Sequence, residues 1–358
     1  MTLQSSLQSL VYVKSQVAVG TGATIAQNND KALRVRSCEF ASVEGTIVRD
    51  GTQSATGLPA IAVMGGRHWG ITMQVELMRF DDFTDEDSSP ISALLKATGA
   101  LTATTFDPGT GSADAIQLRF SAAYNPPTAP VPLTVEKHEI GGNKYRATDC
   151  YAVITGIAAE GQKEILVDLQ LVGLWSTPVA STFTAAAADY GATQSLQTPT
   201  IFSGASLVSG IRRTDGTTEQ TFTGLQSFGV TPAMQLVARP SVLSNAVAGF
   251  APAFLTRTGS SDTVAFTVDL HPEGNTTDDL SVWANWIAQA EGRDLKLISN
   301  EGSAGMKVVV TMNEVQYNDP PVSSTALAFR QYDLVAAGKD PVDGSIDGGL
   351  TLYFMAGT

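Results

Sequence analysis

Strict period-2 alternation constrains this chain more than any other feature. In ITMQVEL (71–77) the apolar residues hold the odd positions and the polar ones the even positions, as in a strand with one buried and one wet face. Ile165, Val167, Leu169 and Leu171 repeat the pattern, with Asp168 and Gln170 on the opposite face. Further strand-like runs lie at 116–120, 145–155, 264–270, 307–311, 326–335 and 350–355, and segments such as DPGTGS (107–112) and NPPTAPVP (125–132) punctuate them as loops. The fold expected is mainly β.

Two helices interrupt the alternation. Ser89 is suited to cap the first, with Pro90 at its first position, Ile91, Leu94 and Leu95 on one face and Gly99 as terminator. The second has Thr277 as cap, Asp278 and Asp279 at the positive end of its dipole, an apolar stripe of Trp283, Trp286, Ile287 and Ala290, and Gly292 as terminator.

Sliding the chain along itself brings these elements into correspondence. An offset of 193 lays ITMQVEL (71–77) on VAFTVDL (264–270) and carries Leu94 onto Ile287 and Gly99 onto Gly292. Further on, an offset of 163 lays Leu171-Val172 on Leu334-Val335. The drop implies that the first copy holds about 30 extra residues, assigned to the Pro/Gly-rich stretch around 101–145. The resulting expectation is two tandem β-sandwich-like domains, each with one flanking helix. They span 1–175 and 201–340, joined by a low-complexity linker at 176–200 and followed by a C-terminal arm at 341–358. The run Leu350–Phe354 in that arm is expected to add a strand to a sheet edge, in this chain or a neighbour.

Composition and motifs narrow the function. Lys and Arg number 22 against 35 Asp and Glu, for a net charge of −13, which argues against gripping nucleic acid through its phosphates. No run approaches the apolar length of a membrane span, and no basic segment precedes an apolar one at the N-terminus. A soluble protein made in the cytoplasm is expected, with Cys38 and Cys150 as buried or half-buried thiols. Catalytic and phosphate-loop motifs are missing. His68, His138 and His271 lack metal-ligand spacing, and the acidic run 81–87 lacks the alternation of a calcium loop. No enzyme activity, cofactor or metal is expected.

Two surfaces stand out instead. The Gly-rich segment 48–70 carries Leu58, Pro59, Ile61, Val63, Arg67, His68 and Trp69. An apolar-tipped loop either folds back on its own core or inserts into a neighbour; the flanking glycines favour the neighbour, so these are the candidate inter-subunit residues. The polar faces of the long strands carry Thr72, Gln74 and Glu76 in copy one and Thr267 and Asp269 in copy two, with Asp168 and Asp333 on the final strands.

The order of loop 48–70, strand 71–80, helix 90–98 and strand pair 145–175, with strand, helix and final pair occurring twice, resembles the major tail (tail tube) proteins of long-tailed, non-contractile bacteriophages. That resemblance implies a virion protein, assembled in the host cytoplasm, that stacks as rings around a lumen through which genomic DNA passes. Two tube domains per chain would make a trimeric, pseudo-hexameric ring, contacting tape-measure and tail-end proteins and no membrane. The polar strand faces would then be lumen-facing, their carboxylates repelling passing DNA. The alternative is an adhesive or carbohydrate-binding β-sandwich of a tail tip, or a capsid decoration module.

Overall fold

The computed structural model describes residues 9–26, 32–43, 47–48, 63–64, 68–78, 91–98, 102–105, 114–120, 131–139, 141–161, 163–182, 207–212, 219–223, 225–238, 253–257, 262–269, 295–298, 307–312, 315–317, 322–323, 329–336 and 350–355. In the first half these form β1 (Ser9–Ser15), β2 (Ala32–Leu33), β3 (Val35–Val43), β4 (Ile47–Val48), β5 (Val63–Met64), β6 (His68–Glu76), α1 (Ser92–Ala97), β7 (Thr102–Thr105), β8 (Asp114–Phe120), β9 (Leu133–Glu139), β10 (Asn143–Glu160), β11 (Leu166–Trp175) and β12 (Val179–Ala180). The second half adds β13 (Leu207–Arg212), β14 (Glu219–Thr223), β15 (Leu225–Thr231), β16 (Met234–Ala238), β17 (Ala253–Arg257), β18 (Thr263–Asp269), β19 (Leu295–Ile298), β20 (Lys307–Met312), β21 (Val315–Tyr317), β22 (Val322–Ser323), β23 (Phe329–Ala336) and β24 (Leu350–Met355). The fold is mainly β, as the alternation requires. One 13-stranded and one 7-stranded antiparallel sheet account for most of it, with β4–β5 and β16–β17 as separate pairs.

The pairing register carries the internal repeat. In β6–β11, Ile71 lies opposite Leu171; in β18–β23, Val264 lies opposite Leu334. Those are the offsets of 193 and 163. They hold for every pair from Gly70–Val172, which maps onto Thr263–Val335, to Glu76–Leu166, which maps onto Asp269–Phe329. An offset of 190 carries β3 onto β15 with its irregularity included: the ladder slips between Val35 and Ser37 in one and between Leu225 and Ser227 in the other. The pair Val11–Leu33 maps likewise onto Leu207–Thr223, and Thr102–Gln117 onto Leu295–Met312. The long strand β10 is matched in two pieces. Tyr151–Val172 maps onto Gln316–Val335 through β21, and Gly156–Asp168 maps onto Val322–Gln331 through β22.

A slip of one residue would turn every side chain to the other face. The preserved register therefore keeps Ile71, Met73 and Val75 buried in one unit and Val264, Phe266 and Val268 buried in the other. The units share one sheet, because the end of β10 pairs with β15 from Ile157–Val230 to Glu160–Ser227.

Where the units differ, β9 is responsible. It lies between β1 and β10 and has no counterpart among the described residues of the second unit, where β13 pairs with β19 directly. The first unit's β7–β8 hairpin is joined instead to β24, which lies between β8 and β20. This corrects the sequence reading of the extra residues. β7 and β8 have counterparts in β19 and β20, so the added length falls after β8 and includes β9. The C-terminal strand has partners on both sides within its own chain, and β12, inside the segment read as a linker, pairs with the start of β10.

The inward faces enclose one apolar core that runs from Val11 and Leu33 through Met73, Leu94, Ile154 and Leu169 to Phe228 and Phe266. The first unit curls around it far enough for Lys137 Nζ on β9 to donate to the Cys38 carbonyl on β3 (3.1 Å). The helix α1 lies against β1, β9 and β10 and buries Ile91, Leu94 and Leu95 together, as their spacing requires. Its cap position is Ile91, without a side-chain cap; Ser89, Pro90, Gly99 and the whole expected second helix lie outside the described residues. Thr98 closes the C-terminal end with its N–H (3.0 Å) and hydroxyl (2.7 Å) on the Leu95 carbonyl.

Gly173 of β11 faces an irregularity in β10, where the ladder slips between Thr148 and Tyr151. A Cβ there would run into the Cys150 thiol and stand 3.1 Å from the Thr148 carbonyl. Gly173→Ala is expected to lower stability by about 1–3 kcal/mol in chemical denaturation. Gly229→Ala, whose Cβ meets nothing within 4 Å, is the control and should change little.

Candidate assembly surfaces

The outward face of β3, β6 and β11 is a ribbon of polar rows. Glu39, Thr72 and Gln170 form one row, and Ser37, Gln74 and Asp168 the next. Thr72 is exposed, and Gln74 and Asp168 are half-buried. The Gln74 amide donates to Asp168 Oδ1 (2.9 Å). Beyond Asp168 the row reaches Gly156, where a Cβ would stand 3.3 Å from the Asp168 carboxylate. In the second unit the matching rows are Gly229–Ala265–Asp333 and Ser227–Thr267–Gln331. Thr267 is half-buried; Asp333, also half-buried, accepts from the Gln331 amide at 3.2 and 3.3 Å. Asp168 and Asp333 therefore share a face but not a position, since the repeat sets Asp168 against Gln331 and Gln170 against Asp333.

Glu76 differs from its sequence reading. It is buried, and both its oxygens are paired at 2.9 Å, one with Arg34 Nε and one with Arg36 Nε. Arg36 also reaches Glu164 (2.8 Å). The two arginines balance the two glutamates, so Glu76 does not present a bare carboxylate to the wet face. Its counterpart Asp269 has Gly224 and Gln226 where Glu76 has Arg34 and Arg36; the Asp269 side chain lies outside the described residues.

The candidate inter-subunit segment is divided by the structure. Val63 is in β5, paired with Val48, while Leu58, Pro59, Ile61 and Arg67 lie outside the described residues. His68 and Trp69 belong to β6 and are buried within their own chain. Trp69 packs edge-on against Phe40 (5.5 Å between centroids) and Tyr145 (6.1 Å), and at a tilt against Trp175 (6.1 Å). Trp69 is on the inward face with Ile71, Met73 and Val75, and His68, on the opposite face, is buried as well, so neither offers apolar surface to a neighbour. Burial also pushes the His68 pKa below its ordinary value.

A buried polar cluster on the outward face of β9 and β10 escaped the sequence reading. Glu136 and His138, two apart on one strand face, bond through Glu136 Oε2 and His138 Nε2 (2.9 Å). Lys144 (3.3 Å) and Arg146 (3.5 Å) approach Glu136 Oε1. Burial alone would raise the Glu136 pKa, but the His138 bond and the two cations outweigh it and hold the carboxyl below its ordinary range. The segment 16–26 covers the neighbouring rows. Arg146 donates to the Ala23 carbonyl (2.9 Å), and the Ala23 N–H donates to the Thr134 hydroxyl (2.9 Å).

At the β10 irregularity Asp149 takes φ +50°, a left-handed conformation. It accepts from the Gly20 N–H (2.9 Å); with the Gln16 amide turned nitrogen-first towards Asp149, Gln16 donates to the same carboxylate (2.6 Å) and its oxygen accepts from the Asp149 N–H (3.1 Å). Burial raises the Asp149 pKa, and the Gly20 bond offsets part of the rise. Asparagine keeps the acceptor, tolerates the left-handed region and carries no charge to desolvate. Asp149→Asn is thus expected to match or exceed wild-type stability at neutral pH. Asp149→Ala, which loses both bonds and keeps the strained φ, should fall by about 1–3 kcal/mol. Thermal denaturation of the two variants makes the comparison; equal losses would contradict it.

Cys38 and Cys150 are buried free thiols, and burial pushes Cys38 up to about 12. Among the described residues no group of three His, Cys, Asp or Glu is arranged to hold a metal ion. Comparison with models of known protein families and with curated proteins gives no match to this chain.

Proposed function

We propose that the chain is the tail-tube protein of a long-tailed, non-contractile bacteriophage, built from two tandem tube domains that close as trimeric, pseudo-hexameric rings and stack around DNA. The observation that carries this reading is the repeated register, which gives one chain two equivalent β units in a continuous sheet. Chains of this kind suit a closed ring, because each supplies two of its units already joined and fewer association events are needed.

The polar rows are the proposed lumen wall. Asp168 and Asp333 supply acceptor charge there, and Glu39 adds to it on an exposed position. Such a wall makes no phosphate contacts and so releases no counterions as DNA passes. Glu76, neutralised by Arg34 and Arg36, is a structural member of the wall and not one of its free charges. The tape-measure and tail-end proteins of the same particle are the proposed partners, and the virion tail the proposed location.

Negative-stain microscopy of concentrated purified protein tests this reading. Rings or tubes with an open centre are the expected result. Dispersed monomers that bind on a glycan array would contradict it and favour an adhesive tail-tip module.

A further inference from the structure

The buried cluster on β9 and β10 continues past Glu136 to a hydroxyl. His138 Nε2 lies 2.9 Å from Glu136 Oε2, and the other ring nitrogen, Nδ1, lies 3.3 Å from the Ser181 hydroxyl oxygen. Three strands bring these groups together. Lys144 of β10 pairs with His138 of β9 on one side and with Val179 of β12 on the other, so the three side chains share a face. Ser181, two residues past Val179, returns to that face, and its N–H donates to the Gly142 carbonyl (2.9 Å). The order Glu136, His138, Ser181 runs over two strands and the residue after a third element's end, a spacing that no local motif carries.

Charge fixes where the protons sit. Lys144 and Arg146 approach Glu136 Oε1 and keep the carboxyl ionised. Oε2 can then only accept, so the neutral imidazole donates from Nε2 and keeps its lone pair on Nδ1. The Ser181 hydroxyl donates to that lone pair. A hydroxyl bonded to an imidazole whose far nitrogen is held by a carboxylate is the arrangement that activates serine for attack. The side chains of His138 and Glu136 are 0% and 2% exposed, whereas Ser181 is half-buried between the exposed Ala180 and Thr182. The base is sealed from water while the nucleophile can be reached.

We propose that Ser181 is an acyl-accepting nucleophile, with His138 as its general base and Glu136 as the residue that positions the base. The substrate class is a small activated carboxylic ester. Ser181 Oγ forms a bond to the acyl carbon as its proton passes to His138 Nδ1. The ester C–O bond then breaks, and the leaving alcohol or phenol takes that proton. An O-acyl serine and the free alcohol or phenol are the products. The assignment does not depend on the tail-tube reading.

Acetylation by p-nitrophenyl acetate, located by peptide mass spectrometry, tests it. Ser37, an exposed serine of β3, is the comparison within the same chain. Ser181 should be acetylated on the order of 100-fold faster than Ser37, the lower end of what a positioned base contributes. In urea the two serines should react at one slow rate. His138→Gln, checked for a retained thermal transition, should bring Ser181 down to the Ser37 rate. Nitrogen NMR of protein labelled at histidine reads the positioning role directly: wild type should hold one imidazole protonated at Nε2, and Glu136→Gln should lose that preference. Equal acetylation of the two serines in folded wild type would overturn the proposal without recourse to any variant. So would fast acetylation of Ser181 that persists in folded His138→Gln, or a wild-type His138 protonated at Nδ1 alone.

Discussion

Trp69→Ala is expected to cost the folded chain about 3–5 kcal/mol, the range for emptying a large aromatic from a core. Trp69 is 5% exposed and holds together Phe40 of β3, Tyr145 of β10 and Trp175 of β11. Its loss opens a cavity at one end of the curled sheet, where three strands lean on one ring. The variant should show a lower thermal transition before any question of assembly arises. Trp69→Phe, which keeps an aromatic and discards a buried Nε1 with no hydrogen-bond partner among the described residues, should recover much of the loss. A Trp69→Ala protein with a wild-type transition but no assembly would return this residue to the role of a docking arm.

Glu136 is the second position where a large effect is expected. Glu136→Gln leaves His138 and two cations facing a neutral amide in a buried setting, at a cost of about 3 kcal/mol. The pH dependence identifies the cause. The native carboxyl titrates below its ordinary range, so its stabilisation is present above that range and disappears as pH falls through the native value. Wild type should therefore lose stability on acidification more steeply than Glu136→Gln, and the two curves should converge in acid. Denaturant midpoints measured from neutral pH to about pH 3 give both curves; parallel curves would contradict the assignment.

What could be read from sequence follows from what alternation encodes. The runs 71–75 of β6, 167–171 of β11 and 264–268 of β18 place an apolar residue at every second position, and β23 does so at Tyr332, Leu334 and Ala336 with Arg330 as the exception; that is sufficient to name the strand, its buried face and, through the two offsets, its register. Partners distant in sequence were not encoded this way. Nothing in ITMQVEL announces that Glu76 is met by Arg34 and Arg36, which reach it only because β3 bulges beside β6. Trp69 was misassigned because its glycine-rich surroundings outweighed its place at an inward position of β6. β9 was hidden inside a Pro-rich stretch, although LTVEKHE alternates, and the same alternation of Thr134, Glu136 and His138 could have marked their shared face. The route of β24 into the sheet between β8 and β20 depends on β9 having displaced β7 from β1, which no local pattern carries.

The stoichiometry of the assembled ring bears on all of this most directly. Two equivalent units per chain predict three chains per ring, visible as threefold symmetry with a sixfold envelope in ring class averages and as a trimer in native mass spectrometry. Six chains per ring, or an assembly in which the β3–β6–β11 and β15–β18–β23 units occupy different radial positions, would contradict it.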